Sequence, residues 1–550
     1  MDDNSLSEKI RQYQREAQER EAKFLAEKYH LEYLDLSTYP IDPEALKLLE
    51  KDIVEKYKIF SIYHTPRKTY FALVDPSVEE TQKIIDDFRN KGYQVKVFVV
   101  SRWAFDDVLK RYQVGKKERK ILTKKIEIEK EFFKDCQKKI KSFNEVKQII
   151  DSFLAKREET NKILELILAT GISFGASDIH FEPKKQNLLL RYRIDGLLYE
   201  IFCLPLEIWK TILLKLKVLS GLKINVTDRA QDGRFSIGLD SRNIEVRVSS
   251  VPSQYGEMVV LRILDPKMIL VDLENLGFRE EDLSLLKKII KKPNGLILNT
   301  GPTGAGKTTT FYAILNFLKS PTKKIITVED PIEYRLEGID QTQVNPSSGY
   351  TFANALRFLV RHDPDIILVG EIRDKETAAI TTQASLTGHL VLSTLHTNDA
   401  CGAIPRLIDL GIEPKTIASS LNLVIAQRLV RRVCSKCSQE VTPTEEELKK
   451  IKKVLGEEEF KKLKEKEIKI KKPKGCKECR FLGYKGRIGI FELLLIDKDF
   501  QLQIERDSSY LSILNLFKKK NLKSLTKDGV LKVLEGITTL DEIERVCGVI

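Results

Sequence analysis

Nowhere in these 550 residues is there an uninterrupted apolar run of about 18, the length a helix needs to cross a bilayer. Any membrane contact is therefore expected to be peripheral. The first residues, MDDNSLSEKIRQYQREAQER, contain no apolar stretch of the kind a Sec-type signal peptide requires, which predicts a cytoplasmic chain. Histidine is scarce, with six in the chain, so two that fall together carry weight. No long internal repeat and no recognised base-reading module are present. The net charge of +13 permits contact with anionic lipid or nucleic acid but requires neither, since a Lys-rich composition also accounts for it.

What is present points to several soluble α/β domains. The length suggests three or four. Residues 1–29 read as a polar helix. Residues 30–112 alternate strand candidates, TYFALVD (69–75) and YQVKVFVV (93–100), with helical stretches, PEALKLLEKDIVEKY (43–57) and VEETQKIIDDFRNKG (78–92). Residues 113–155, dense in Lys and Glu, read as a charged linker. A second α/β domain is expected over 156–268. In its LLLRYRIDGLLYEIF run (188–202), Asp195-Gly196 signals a hairpin, and Arg191 and Arg193 should share one strand face. From about 269 the pattern of strand, glycine loop, helix and strand repeats, as in a nucleotide-binding core. A cysteine-bearing insertion (434–479) and a helical tail (498–550) complete the chain.

The strongest signal is GLILNTGPTGAGKTTTFYAIL (295–315). Gly301, Pro302, Thr303, Gly304, Ala305, Gly306, Lys307 and Thr308 match G-x-x-x-x-G-K-[ST], with a strand before and a helix from Thr309 onward. Glycines let backbone amides wrap phosphates, and the helix start adds a positive dipole end. Lys307 suits the β- and γ-phosphates and the Thr308 hydroxyl suits Mg²⁺. Two apolar strands then end in acids. KKIITVEDPIEY (323–334) offers Glu329, Asp330 and Glu333, and DPDIILVGEIRD (363–374) offers Glu371. Both should deliver carboxylates to the edge of the sheet where ligands of α/β folds bind. His389 and His396 flank the strand Leu390–Leu395 in TGHLVLSTLHT, and a polar residue at such a strand end can sense a γ-phosphate.

Four of the eight cysteines form two CxxC pairs, Cys434/Cys437 and Cys476/Cys479. Four thiolates make a closed tetrahedral Zn²⁺ site with no open position, hence a structural one. Iron–sulfur ligation and redox-active dithiols are the other chemistries such pairs permit. The intervening run, 438–475, reads as a helical excursion tied at its base by the metal.

Taken together, these segments resemble the secretion ATPases of type II secretion and type IV pilus assembly, from about residue 25 to the end. ITVEDPIEY resembles the family's aspartate box, DPDIILVGEIRD its Walker B segment, and TGHLVLSTLHT its histidine box. ASDIHFEP (176–183) with LRYRIDG (190–196) resembles the domain before the motor. IAQRLVRRVCSKC (425–437) and GCKECRFLGYKGRIGIFELL (475–494) resemble the tetracysteine segment. The resemblance implies a RecA-like P-loop core, a preceding PAS-like α/β domain, a small N-terminal α/β docking domain and a tetracysteine zinc insertion. It implies that Glu333 polarises the attacking water, that Glu371 is the Walker B acid on Mg²⁺, and that His389 and His396 couple the γ-phosphate to conformation. Arginines of the preceding domain would reach the phosphates, with Arg234 and Arg247 first and Arg262 next. It further implies a homo-hexamer at the cytoplasmic face of the inner membrane, an inner-membrane platform protein as partner, and a pilin-like load. The tetracysteine segment, carried by assembly and secretion members, favours extension of type IV pili, with the type II secretion pseudopilus as the alternative. Some relatives bind a cyclic dinucleotide through the docking domain, but no glycine-leucine ligand motif stands out here. A nucleic-acid translocase and a nucleotide-dependent scaffold with little turnover are the competing classes. DNA-stimulated hydrolysis would mark the first, and binding without hydrolysis the second.

Overall fold

The computed structural model describes residues 3–36, 45–49, 51–65, 67–114, 125–155, 160–239, 242–266, 271–464 and 467–549. They divide into two compact units, Met1–Thr123 and Lys124–Ile550.

In the first unit a four-stranded sheet has the order Glu32–Tyr33, Gln94–Val99, Lys68–Leu73, Ile59–His64. The apolar runs of the sequence form its two inner strands, and Phe60, Ile62, Phe71 and Val99 are fully buried. The helix Asp3–Lys28 is mostly polar, and its Ala22 and Ala26, which lie four apart on one face, pack into this core with Leu25 beside them. Upstream on that helix, Glu19 accepts hydrogen bonds from the Tyr33 hydroxyl and from Ser101 Oγ.

The second unit holds two seven-stranded sheets. The first has the order Lys125–Ile128, Gln231–Leu239, Arg242–Ser253, Gly256–Leu264, Ala176–Pro183, Asn187–Ile194, Leu197–Pro205. Asp195 and Gly196 both have positive φ, 49° and 90°, and close the predicted hairpin between paired Ile194 and Leu197. Leu188, Leu190, Tyr192 and Ile194 face the core, which leaves Arg191 and Arg193 together on the other face. The expected linker is corrected here. Residues 115–124 lie outside the described residues, but 125–155 is folded. Lys125–Ile128 is an edge strand parallel to Gln231–Leu239, and the helices Lys130–Lys139 and Phe143–Ala155 bury Phe133, Cys136, Val146 and Ile150 in the domain core. Charge density masked an apolar residue every three or four positions.

The second sheet is the motor core, ordered Asp340–Gln343, Ile325–Glu329, Ile366–Val369, Leu390–Leu395, Gly295–Thr300, Leu421–Val433, Tyr484–Leu495. Six strands are parallel and the last is antiparallel. The central strands are buried on both faces, which explains their unbroken apolar runs. Four helices, Lys498–Arg506, Tyr510–Lys519, Leu525–Leu534 and Leu540–Cys547, form the tail. Its buried Asp528 pairs with Lys532 at 2.6 Å and Arg279 at 2.9 Å. Among the described residues no helix is long and apolar enough to cross a membrane.

Candidate active site

Parallel strands in register bring their carboxyl ends to one edge, and the candidate residues gather there. Thr300 ends its strand and the glycine loop follows. Gly301, Gly304 and Gly306 have φ of 153°, 80° and 89°, and the helix Lys307–Leu318 begins immediately after. Added Cβ atoms would stand 2.6 Å from Gln427 O at Gly301 and 2.9 Å from Gln427 Nε2 at Gly306, so these positions exclude side chains by space as well as by backbone. Gln427 braces the loop from below, its Oε1 accepting from Asn299 Nδ2 at 2.9 Å and from Thr310 Oγ1 at 2.8 Å. Ala305 is buried, while Pro302, Thr303, Gly304 and Thr308 are exposed or partly so and Thr309 borders the helix surface. Lys307 Nζ donates to Gly301 O at 2.6 Å. Burial brings its pKa down to about 8, against the opposing charge of Glu371.

Glu371 sits two residues past its strand. Its backbone is fixed by Gly370 N to Val328 O (2.8 Å) and Ile372 N to Thr394 O (3.0 Å). Its carboxylate meets Arg373 at 2.5 Å and His396 Nε2 at 3.6 Å. His396 is bracketed by Leu395 and Thr397, and both neighbours bond to the Thr300 hydroxyl, the last group before the glycine loop. Burial, with Lys307 next in effect, lowers the His396 pKa, which favours the neutral ring. Asp330 is exposed and lies within the electrostatic reach of Arg373.

His389 belongs elsewhere. It precedes Leu390, and the register pairs Leu390 with Gly295, so His389 stands at the amino edge of the sheet, about 20 Å from the carboxyl edge at roughly 3.3 Å per residue. Its Nδ1 faces Ala384 O at 3.0 Å, a structural contact, which corrects the expectation that it senses phosphate. Glu329 also departs from expectation. It is 4% exposed, and its carboxylate accepts from the Tyr312 and Thr327 hydroxyls inside the protein.

Three arginines of the second domain form one rung across adjacent strands, with Arg234 opposite Arg247 and Arg247 opposite Arg262. Like charges on one rung oppose stability, so the rung suits an anion-facing surface. Arg247, in the middle, reaches the motor. Its Nη1 lies 3.0 Å from Glu333 Oε2 and its Nη2 donates to Ile332 O at 2.6 Å. Burial raises the Glu333 pKa, while Arg247 and then Arg262 oppose the rise. Arg262 pairs with Asp178 at 3.0 Å, and Arg234 is largely exposed beside Glu245 at 3.8 Å. Of the three, the structure brings only Arg247 to Glu333.

The two CxxC pairs converge. Cys434 and Cys476 Sγ are 3.9 Å apart, Cys437 and Cys479 3.7 Å, and Cys476 and Cys479 3.8 Å. Four sulfurs each about 2.3 Å from a central zinc stand about 3.8 Å from one another, so the donor set is compatible with that ion. Amides of Gly475, Cys476 and Gly483 point at the sulfurs at 3.1–3.3 Å. Burial alone raises the Cys479 thiol, but the amides of Cys476 and Gly483 outweigh it and hold the group at about 7. The excursion between the pairs is a ribbon, Gln439–Val441 against Ile470–Lys472, carrying the helices Glu445–Leu455 and Glu457–Lys464. Around these cysteines the second domain is stitched to the motor. Asp195 accepts from Gly486 N at 2.9 Å, Arg480 Nη2 donates to Ser173 O at 2.6 Å, and Arg431 Nη1 reaches the Tyr199 hydroxyl at 3.2 Å.

Sequence reasoning missed Gln427, Arg373, Tyr312 and Gln341. Arg373 lies within the Walker B-like segment and could have been drawn from it. Tyr312 reads as core and Gln341 as an edge-strand polar residue, so neither carries a signal of its own.

A glycine loop between strand and helix, acids on the neighbouring strand ends and a lysine among them define a P-loop ATPase, an ATP-hydrolysing enzyme. Residues 154–545 match the family described as type II/IV secretion system protein, and residues 29–119 match the MshEN domain. The chain belongs to the type II/IV secretion system protein family. It is 47% identical over 385 residues to the type II secretion system protein E of Dickeya dadantii, covering 70% of this chain and 75% of that protein. It is 38% identical over 518 residues to the type IV pilus assembly ATPase PilB of Thermus thermophilus, covering 93% of this chain and 55% of that protein. The X-ray structure of the Legionella pneumophila ATPase DotB, 20% identical, covers 70% of this chain and 94% of its own with a TM-score of 0.51, a likeness of fold alone.

Proposed function

We propose that this chain is a cytoplasmic, homo-hexameric motor that hydrolyses ATP to extend type IV pili, acting on an inner-membrane platform protein and, through it, on a pilin-like load. Lys307, the loop amides and the helix start hold the phosphates. The Thr308 hydroxyl and the Glu371 carboxylate are hard oxygen donors of the kind Mg²⁺ takes, and the bound ion would neutralise phosphate charge. Glu333 orients the attacking water and accepts its proton, and burial, which raises its pKa, makes the carboxylate a stronger base. His396, whose ring meets Glu371 and whose neighbours Leu395 and Thr397 bond to Thr300, passes the state of the γ-phosphate to the neighbouring strand end. Zn²⁺ at Cys434, Cys437, Cys476 and Cys479 has a structural role, because four protein ligands leave no open position.

The single observation that supports pilus extension is coverage. The Thermus pilus assembly relative aligns with 518 of the 550 residues, so the alignment must enter the first unit, whereas the Dickeya secretion relative aligns with 385. The higher identity of the latter keeps the type II pseudopilus as the second reading.

Two experiments test these readings. ATPase activity of the purified chain, with and without single-stranded and duplex DNA and alongside native mass, should show DNA-indifferent hydrolysis in a hexamer-sized particle. Strong DNA stimulation points to a translocase. Deletion of the gene in its own cell should remove surface filaments and spare exoprotein secretion. The reverse pattern assigns the motor to type II secretion.

A further inference from the structure

The loop that carries Glu333 begins at a buried carboxyl group. Glu329 ends its strand, and three side chains donate to it: the Tyr312 hydroxyl at 2.6 Å, the Thr327 hydroxyl at 2.6 Å and Gln341 Nε2 at 3.1 Å. Tyr312 is 1% exposed and stands on the helix that starts at Lys307, so one of these bonds ties the phosphate-loop helix to the start of the Glu333 loop. The Tyr312 oxygen is also faced by the backbone amides of Tyr334 and Glu333.

The edge strand Asp340–Gln343 closes the loop from the other side. Gln341 and Gln343 lie two apart and therefore share a face. Gln341 Nε2 also donates to Tyr334 O at 3.0 Å, and its Oε1 accepts from Leu336 N at 2.6 Å. Gln343 Oε1 accepts from Ile332 N at 3.4 Å. The chain is thus held immediately before Glu333 and immediately after it. The chemistry of Glu329 explains why a carboxyl group is buried here. Beside three donors it serves as the acceptor, so it fixes which end of the Gln341 amide points inward and leaves the oxygen for Leu336 N. Met or Leu at 341 would fill the space without holding the loop.

We propose that Gln341, oriented by Glu329 and Tyr312, is a positioning residue that sets Glu333 for attack on ATP. This rests on the reading of Glu333 as the group that orients water. The bonds of Gln341 go to Glu329, Tyr334 and Leu336, around the Glu333 loop, whereas Lys307 and Thr308 follow another strand.

The test uses the full chain as wild type, Gln341→Met, Tyr312→Phe, Glu333→Gln and the double variant Gln341→Met/Glu333→Gln. Phosphate release is measured against ATP concentration, and ADP affinity is measured by calorimetry. Misplacing a reacting group by about 1 Å can cost about 100-fold. Gln341→Met should lower kcat about 30-fold and Tyr312→Phe about tenfold, with KM and ADP affinity within about twofold of wild type. In the Glu333→Gln background, Gln341→Met should slow the residual rate no further. A second variant that slows Glu333→Gln as much as it slows wild type, or a matching loss of ADP affinity, overturns the proposal. So does full activity of Gln341→Met. Wild-type turnover by Glu333→Gln instead removes the role of Glu333 itself. Should Gln341→Met not fold, Tyr312→Phe, which removes a single oxygen, takes its place in the same double-variant comparison.

Discussion

One guanidinium of the second domain, that of Arg247, grips the Glu333 loop twice, through the carboxylate at 3.0 Å and through the carbonyl of Ile332 at 2.6 Å. Burial is the larger influence on Glu333 and raises its pKa, and Arg247 is the first of the charges that lower it. Glu333 works as a base in its deprotonated form, so activity falls as pH drops through its pKa. Arg247→Gln removes a cation that favours the charged form, and the pKa rises further. The acid limb of kcat should therefore move to higher pH. A pH–rate profile reads this, and a limb that stays in place denies that the contact tunes Glu333.

Glu333→Gln keeps the shape of the side chain and abolishes its basicity. It should bind ATP with near wild-type affinity and lose about 100- to 1000-fold in turnover, trapping ATP on the protein. Lys307→Ala should instead abolish nucleotide binding, because the loop loses its only lysine. Equilibrium binding of a fluorescent ATP analogue beside phosphate release distinguishes the two defects. Normal turnover by Glu333→Gln would show that another group orients the water.

Metal removal should act on one module first. Chelation, or Cys434→Ser, should release one zinc per chain and expose 438–475 to protease, while ADP affinity at the glycine loop stays within about twofold. Zinc content, limited proteolysis and calorimetry on the same sample give the order of events. Loss of both sites in one step would mean that the cysteine segment and the glycine loop fold as a single unit.

Glu492 is 5% exposed, accepts from Ala400 N at 2.8 Å and Leu525 N at 3.2 Å, and has its pKa raised by burial to about 7. The folded chain therefore holds this proton more tightly than the unfolded chain. Its contribution to stability is present in full below the ordinary value of 4.5 and is lost as pH rises through about 7. Glu492→Gln cannot titrate. Relative to wild type it should gain about 3 kcal/mol between about pH 5 and pH 8, whatever its offset at the acid end. Urea unfolding across that range measures the gain, and parallel curves would show that Glu492 stays ionised throughout.

The glycine loop was legible because its chemistry demands a fixed order of residue types in one short stretch. The Asp195-Gly196 hairpin was legible because positive φ at both positions tolerates few residues. His389 was misread because two histidines seven apart in sequence occupy opposite ends of a six-residue strand, and only the one past Leu395 shares an edge with the glycine loop. Glu329 was misread for a related reason. Strand alternation places it facing inward, toward Tyr312 and Gln341, yet as a letter it is indistinguishable from the acids that follow. Lys125–Ile128 was hidden because an edge strand needs few apolar residues, and its partner strand lies about a hundred residues further on. Arg247 and Glu333 were each singled out, but their pairing was not, since no local pattern pairs residues 86 positions apart.

The stitches beside the cysteines have a mechanical consequence. Asp195, Arg480 and Arg431 join the second domain to the motor near the sulfurs, while Arg247 joins them at the nucleotide edge through Glu333. A displacement that breaks the latter contact and spares the former three is a rotation about a fulcrum. Arg247 then sits on the swinging side of that fulcrum, and its contact with Glu333 is the one that the rotation opens.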